Sequence, residues 1–284
     1  MVPFLGTEAR RAGVVNRYQL ATRYDPVFRD VYMPRGHELT AVDKALAAWL
    51  WSGRQATVAG LSAAALHGSL WIDARLPAEL NQRSQHKTEG ILLQSGRIAD
   101  EEKCTIDGVT LTTPARTAFD LGRRVDLMTA VIRVDALMRA TQLTPADVYP
   151  LLEVHRGARG AVLLRRVLAV ADPGAESPQE SRTRLLLVSS GFPQPSTQVA
   201  VFDGRYLVAR LDMGWEEWRV GVEFDGAQHW TDPRQRSRDI DRLAELAALG
   251  WTIVRVSGEM LRNRPRTVVE RIRAALRANG CPRV

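Results

Sequence analysis

The sequence predicts an α/β chain, α+β overall: a mostly helical N-terminal region, then a mixed sheet flanked by helices. Three observations lead there. Apolar residues recur at helical spacing through much of residues 40–170. Residues 207–225, LVARLDMGWEEWRVGVEFD, read as two strands rich in Val, Leu and Trp, with Glu216 and Glu217 where a turn is needed. A helical pattern and the apolar run WTIVRV follow, and a strand–helix–strand passage after an antiparallel hairpin makes a mixed sheet.

Composition narrows the partners. With 284 residues the chain can bury roughly two or three cores. It carries 39 Lys+Arg against 32 Asp+Glu, a net charge of +7, and most of the cations are arginine. Such a chain suits a phosphate-rich polymer, so DNA is the expected partner. No basic amphipathic helix adjoins an apolar anchor and no apolar run approaches about 18 residues, so no membrane partner is expected. Cys104 and Cys281 are far apart and form no CxxC pair, which argues against zinc and for a reducing compartment. With no signal segment at its start, the chain is expected in the cytoplasm.

Taken in order, residues 7–36 read as a small helix-turn-helix with a wing. Thr7 caps a helix over 8–12, Gly13 turns the chain, a second helix spans about 16–22, and residues 27–36 form a strand or hairpin. Arg10, Arg11, Arg17, Arg23, Arg29 and Arg35 are spread through this unit as DNA-contact candidates, or else as a solvated charged face. A helix over 41–51 precedes a small-residue helix over 56–68, where His67 reads as a packed structural residue. Strands are expected at 91–94 and 109–112. Pro114 then opens a helix in which Arg116, close to the N-terminus, is a candidate to bind phosphate or, preferred, to pair with Asp120 one turn on. Helices over 126–140, 144–155 and 158–170 lead to a break at 172–175, DPGA. The expected domains are therefore 1–38, 39–172 and 175–284.

Beyond the break, Ser177, Pro178 and Glu180 make a capping box that starts a helix. If the hairpin reverses near Glu217, Asp212 falls opposite or diagonal to Glu223, while Glu223 and Asp225 share a face. Carboxylates in an apolar hairpin are too costly to bury unpaired. Either Arg210, Arg219, Arg238 and Arg242 meet them, or a divalent metal does. A helix over 234–249 shows an apolar stripe of Ile240, Leu243, Ala244 and Ala247 and stops at Gly250. A strand over 251–256 and a helix over 264–278 complete the chain.

Glu180, Asp212, the EFDG of 223–226, His229, the Arg238–Asp239 pair and GWTIVRV together resemble the nuclease fold named for its PD-(D/E)xK motif. Within it, residues 175–284 are similar to the branch of the very-short-patch repair (Vsr) endonucleases. The resemblance implies a restriction-endonuclease-like domain with Glu180, Asp212, Glu223, Asp225 and His229 as catalytic candidates. It also implies Mg2+ (or Mn2+) on Asp212 and Glu223, with Glu180 as outer ligand and His229 as proton shuttle. Arg238 and Arg242, one turn apart, would clamp phosphate. Asp225 stands where the motif's lysine is usual, so retention and loss of catalysis both stay open. Residues 5–170 resemble the AbiEi antitoxins of type IV toxin–antitoxin systems, through RDVYMPRG, SAAALHG and DGVTLTTPARTAFDLGR. That implies a winged-helix DNA-binding region and, as a second partner, a cognate toxin protein; no small-molecule cofactor is expected. The function expected is a Mg-dependent DNA endonuclease in DNA repair or phage defence. The alternatives are an antitoxin-like transcriptional regulator with an inactive nuclease fold, and a module that neutralises a toxin by protein contact alone.

Overall fold

The computed structural model describes residues 2–83, 88–225 and 233–282, the side chains of 233–236 apart. Mixed helix and sheet run throughout, in two units, Met1–Ala171 and Asp172–Val284.

The first unit opens with β1 (Phe4–Leu5), α1 (Gly6–Arg11), α2 (Arg17–Arg23), β2 (Tyr24–Phe28) and β3 (Val31–Pro34). Its strands form an antiparallel sheet in the order β1-β3-β2, so the strand or hairpin expected over 27–36 is a hairpin over 24–34 with a third strand beside it. Thr7 does not cap α1. The helix starts at Gly6, where a β-carbon would lie 2.6 Å from the Tyr32 ring. Thr7 instead donates its N–H (3.0 Å) and its hydroxyl to the Asp30 carboxylate in the β2–β3 turn. Asn16 and Gln19 form the capping box of α2.

Next come α3 (Ala41–Trp51), β4 (Thr57–Val58), α4 (Gly60–Leu66), β5 (Ala78–Asn81), β6 (Ile91–Gln94), β7 (Lys103–Ile106) and β8 (Val109–Thr112). The five strands are ordered β6-β5-β4-β8-β7. The helix expected from residue 56 begins only at Gly60, because Thr57 and Val58 are taken into the sheet between β5 and β8. Gly60 has φ +53°, and a β-carbon there would fall 2.2 Å from a Glu79 oxygen. That carboxylate accepts the Leu61 N–H at 2.9 Å, so a cross-strand acid caps α4. His67 bonds the Thr112 carbonyl through Nε2 at 2.8 Å, the structural role expected of it. The unit ends with α5 (Pro114–Gly122), α6 (Leu127–Thr141), α7 (Pro145–Val154) and α8 (Ala161–Val170).

The second unit contains α9 (Pro178–Ser189), β9 (Ser196–Asp203), β10 (Tyr206–Trp215), β11 (Val220–Asp225), α10 (Pro233–Ala248), β12 (Thr252–Ser257), α11 (Gly258–Asn263) and α12 (Pro265–Ala278). The sheet runs β12-β11-β10-β9, with β12 parallel to β11 and the other pairs antiparallel. The hairpin turns through a short 3-10 segment, Glu216–Trp218, and Arg219 at φ +47°. The sequence reading missed β9, whose residues STQVAVFD carry a weaker alternation than the hairpin itself. Two apolar cores flank the sheet. Met213, Trp215, Val220 and Val222 pack with Leu187 of α9 and with Val268 and Ile272 of α12. Val199, Val201 and Leu211 pack with Leu246 of α10. Each such large aliphatic chain stabilises by about 1.5–3 kcal/mol on burial.

The stripe expected on α10 is displaced. Ile240 is 61% exposed and Ala244 and Ala247 face solvent, while Leu246 is buried and Leu243 partly so. The helix is turned so that Arg242 meets Glu223 of β11 and Asp239 meets Arg255 of β12, and those ion pairs override the apolar periodicity. Among the described residues no helix is long and apolar enough to cross a membrane.

Candidate active site

The site begins where a ladder stops. β10 and β11 pair at Trp215↔Val220, Gly214↔Gly221 and Met213↔Val222. One residue further, the Asp212 carboxylate takes the place of the backbone, and its Oδ2 accepts the Phe224 N–H at 2.6 Å. Asp212 therefore sits beside Glu223, as the hairpin register requires. Its carboxyl is pushed up to about 7. Burial is the largest cause, and the charges of Glu180, Glu223 and Glu176 add to it against the Phe224 N–H.

Glu180 enters from the first turn of α9 and is buried. Half of the capping box read from sequence is present: its N–H donates to Ser177 Oγ (3.2 Å), but its oxygens accept from Ser177 Oγ (2.9 Å) and from the Glu176 N–H (2.7 Å) in place of the Ser177 N–H. Its charge also reaches Asp212, so capping and a place in the acid cluster are both true of it.

Glu223 is held by the Arg242 guanidinium through both oxygens, at 2.5 and 3.0 Å. Arg242 also donates to Asp239, 2.6 Å away, and Arg255 bridges Asp239 (2.8 Å) to Asp225 (3.1 Å). A chain of alternating charge thus runs Glu223–Arg242–Asp239–Arg255–Asp225. Burial raises the Asp239 carboxyl, but Arg242 and Arg255 outweigh it and hold the group below its ordinary range. Asp225 keeps one buried oxygen, Oδ1, without a hydrogen-bond partner among the described residues.

Of the arginines expected to neutralise the acids, Arg242 does so, and Arg210 pairs with Glu176 at 3.2 Å. Arg219 instead donates to the Leu249 carbonyl at 3.1 Å. Arg238 is exposed on α10, so it and Arg242 are not equivalent members of a phosphate clamp. His229 lies outside the described residues. Asp239, Arg255 and Glu176 were missed as site members. Asp239 precedes Arg242 by three residues, a helical-neighbour signal that was legible. Arg255 is brought beside Glu223 only by the parallel register of β11 and β12.

In the first unit Arg10, Arg11, Arg17, Arg23, Arg29 and Arg35 are all exposed, and Arg35 is paired with Asp25 at 3.1 Å. The acid cluster itself is built from residues of the second unit.

Residues 187–276 match the restriction-endonuclease-like family described as REase_MTES_1575. The match takes in Asp212, Glu223, Asp225, Asp239, Arg242 and Arg255 and leaves Glu180 outside it. Two uncharacterized proteins of Mycobacterium tuberculosis, from strain CDC 1551 / Oshkosh and from strain H37Rv (ATCC 25618), are each 31% identical over 167 residues. That alignment covers 59% of this chain and 62% of each relative, so the chain spans less than two thirds of their length. No solved structure matches.

Proposed function

We propose that the second unit is a metal-dependent DNA endonuclease of the Vsr-like kind, and that the first, AbiEi-like unit docks on DNA. The observation that supports this most is Asp212: a carboxylate with a raised proton affinity, ringed by Glu180, Glu223 and Glu176 and lying inside a restriction-endonuclease-like stretch.

The implied cofactor, Mg2+ or Mn2+, wants hard carboxylate oxygens, and the donor set fits it in chemistry and in charge. It fits less well in arrangement, since among the described residues no three His, Cys, Asp or Glu side chains converge as an ion cage. Asp212 and Glu223 would hold the ion, with Glu180 and Asp225 as neighbouring acids. When bound, it supplies charge neutralisation at the phosphoryl oxygens and a more acidic water. Asp212 is kept in place by the Phe224 N–H, and the Asp239 carboxylate orients both Arg242 and Arg255. The exposed Arg238 and the arginines of the first unit would carry the DNA backbone.

The test is nicking of supercoiled plasmid with magnesium by the full chain and by Asp212→Asn. Metal-dependent nicking by the wild type and its loss, by at least about 100-fold, in the variant is the expected outcome. The second reading is a DNA-binding regulator, antitoxin-like and able to hold a toxin partner, whose nuclease fold no longer cuts. Two facts favour it: Asp225 stands at the usual lysine position and is paired with Arg255, and Glu223 is already taken by Arg242. Salt-sensitive DNA binding with no cutting at any divalent metal would decide for it.

A further inference from the structure

Glu223 is already the partner of one cation. Both of its oxygens are engaged by Arg242, whereas Asp212, its neighbour across the hairpin, has no guanidinium within ion-pair distance among the described residues. A dication entering between the two acids competes with Arg242 for the charge and the lone pairs of Glu223. The guanidinium is not orphaned when that happens, because its second anchor, Asp239 at 2.6 Å, lies on its own helix one turn back. Asp239 is itself steadied by Arg255 at 2.8 Å. Arg242 can therefore release Glu223 and stay beside the site, with two N–H groups freed toward an incoming phosphate oxygen.

We propose that Arg242 is a displaceable counter-cation: it holds Glu223 closed until a divalent metal takes its place, sets the affinity of the acid pair for that metal, and then turns to the substrate phosphate. This rests on the metal-site reading of Asp212 and Glu223 above. It differs from an ordinary phosphate clamp in predicting that removal of a positive charge improves metal binding, and that the clamp is unavailable until metal has bound.

The experiment is titration of the full chain with Mn2+ alone, followed by calorimetry and by the loss of the free-Mn2+ paramagnetic resonance signal. Wild type, Arg242→Lys, Arg242→Gln and Asp212→Asn are compared, with circular dichroism confirming the fold of each. Arg242→Gln is expected to bind Mn2+ at least 10-fold tighter than wild type. Arg242→Lys, which keeps the charge and loses the two-pronged fork, should fall between them and serves alone if the glutamine variant does not fold. Equal or weaker binding in both arginine variants overturns the counter-cation role. If the wild type in that case still binds Mn2+ and Asp212→Asn does not, the metal-site reading survives without it. Absence of Mn2+ binding from all four proteins, or undiminished binding by Asp212→Asn, overturns both.

Discussion

The two units each bury a cluster of charge, and the clusters are solved differently. In the first, Glu102 and Asp120 are met by Arg116, Arg123, Arg124 and His155. Arg116 reaches both acids, at 2.5 and 2.9 Å, and Arg123 and Arg124 reach Asp120 at 2.7 and 2.9 Å. His155 Nε2 bonds the other Glu102 oxygen. Burial raises the Glu102 carboxyl, yet the His155 bond, the Arg116 charge and the Ala99 N–H outweigh it, and the group titrates below its ordinary range. In the second unit Glu223, Asp225 and Asp239 are matched by Arg242 and Arg255, but Asp212 is left among carboxylates and titrates far above that range. A closed network ties elements together: Glu102 precedes β7, Arg116 and Asp120 lie on α5, and His155 ends α7. In the second unit Asp212 is the acid that no guanidinium reaches among the described residues. The same residue types thus close one network and leave an acid over in the other, and the balance of charge, not the number of ion pairs, separates the two.

The sharpest way to break that contrast is Arg116→Ala. If the first network is structural, leaving Glu102 and Asp120 buried without it should cost about 3–5 kcal/mol in denaturant unfolding. A loss of under about 1 kcal/mol would mean the network is not holding the unit together.

Next in size is Asp212→Asn, with the opposite sign. The native carboxyl titrates at about 7 and the unfolded one near its ordinary value, so between these the native state binds more protons. Stability from this group is present at pH 4, falls as the pH rises through 7, and stays lost above it. The asparagine variant keeps an acceptor for the Phe224 N–H and carries no charge. It should be more stable than wild type by roughly 1–4 kcal/mol at pH 8 without metal, and no more stable at pH 4. Thermal melts at the two pH values read this directly, and equal melting shifts at both would show that Asp212 is not under charge stress.

The smallest effect is expected at an ion pair outside either cluster. Arg156 and Glu153 pair at 2.9 Å with both side chains largely exposed. Arg156→Ala should change stability by no more than about 0.5 kcal/mol, a baseline against which the other two variants are read.

Much of this was legible before any coordinates. Helix α3, Pro114 at the start of α5, the Arg116–Asp120 pair and the hairpin register that sets Asp212 beside Glu223 all follow from local rules, since caps, turn residues and period-two alternation act over a few residues. The misreadings fall where a distant partner overrides the local signal. Thr7 gives up the cap position for a bond to Asp30, 23 residues away, and lies within α1 instead. Thr57 and Val58 leave a helical pattern to join a sheet. Ile240 faces outward because Asp239 and Arg242 claim the inner side of α10.

The amino-acid order by itself determined which acids could meet, because strand alternation and turn position are short-range and the carboxylates of 212 and 223 share one hairpin. Only the tertiary structure decided which of them would be neutralised. Arg242 and Arg255 arrive from a helix and a parallel strand whose placement depends on packing across the whole sheet, and at close range a single guanidinium is enough to change what a buried carboxylate can do.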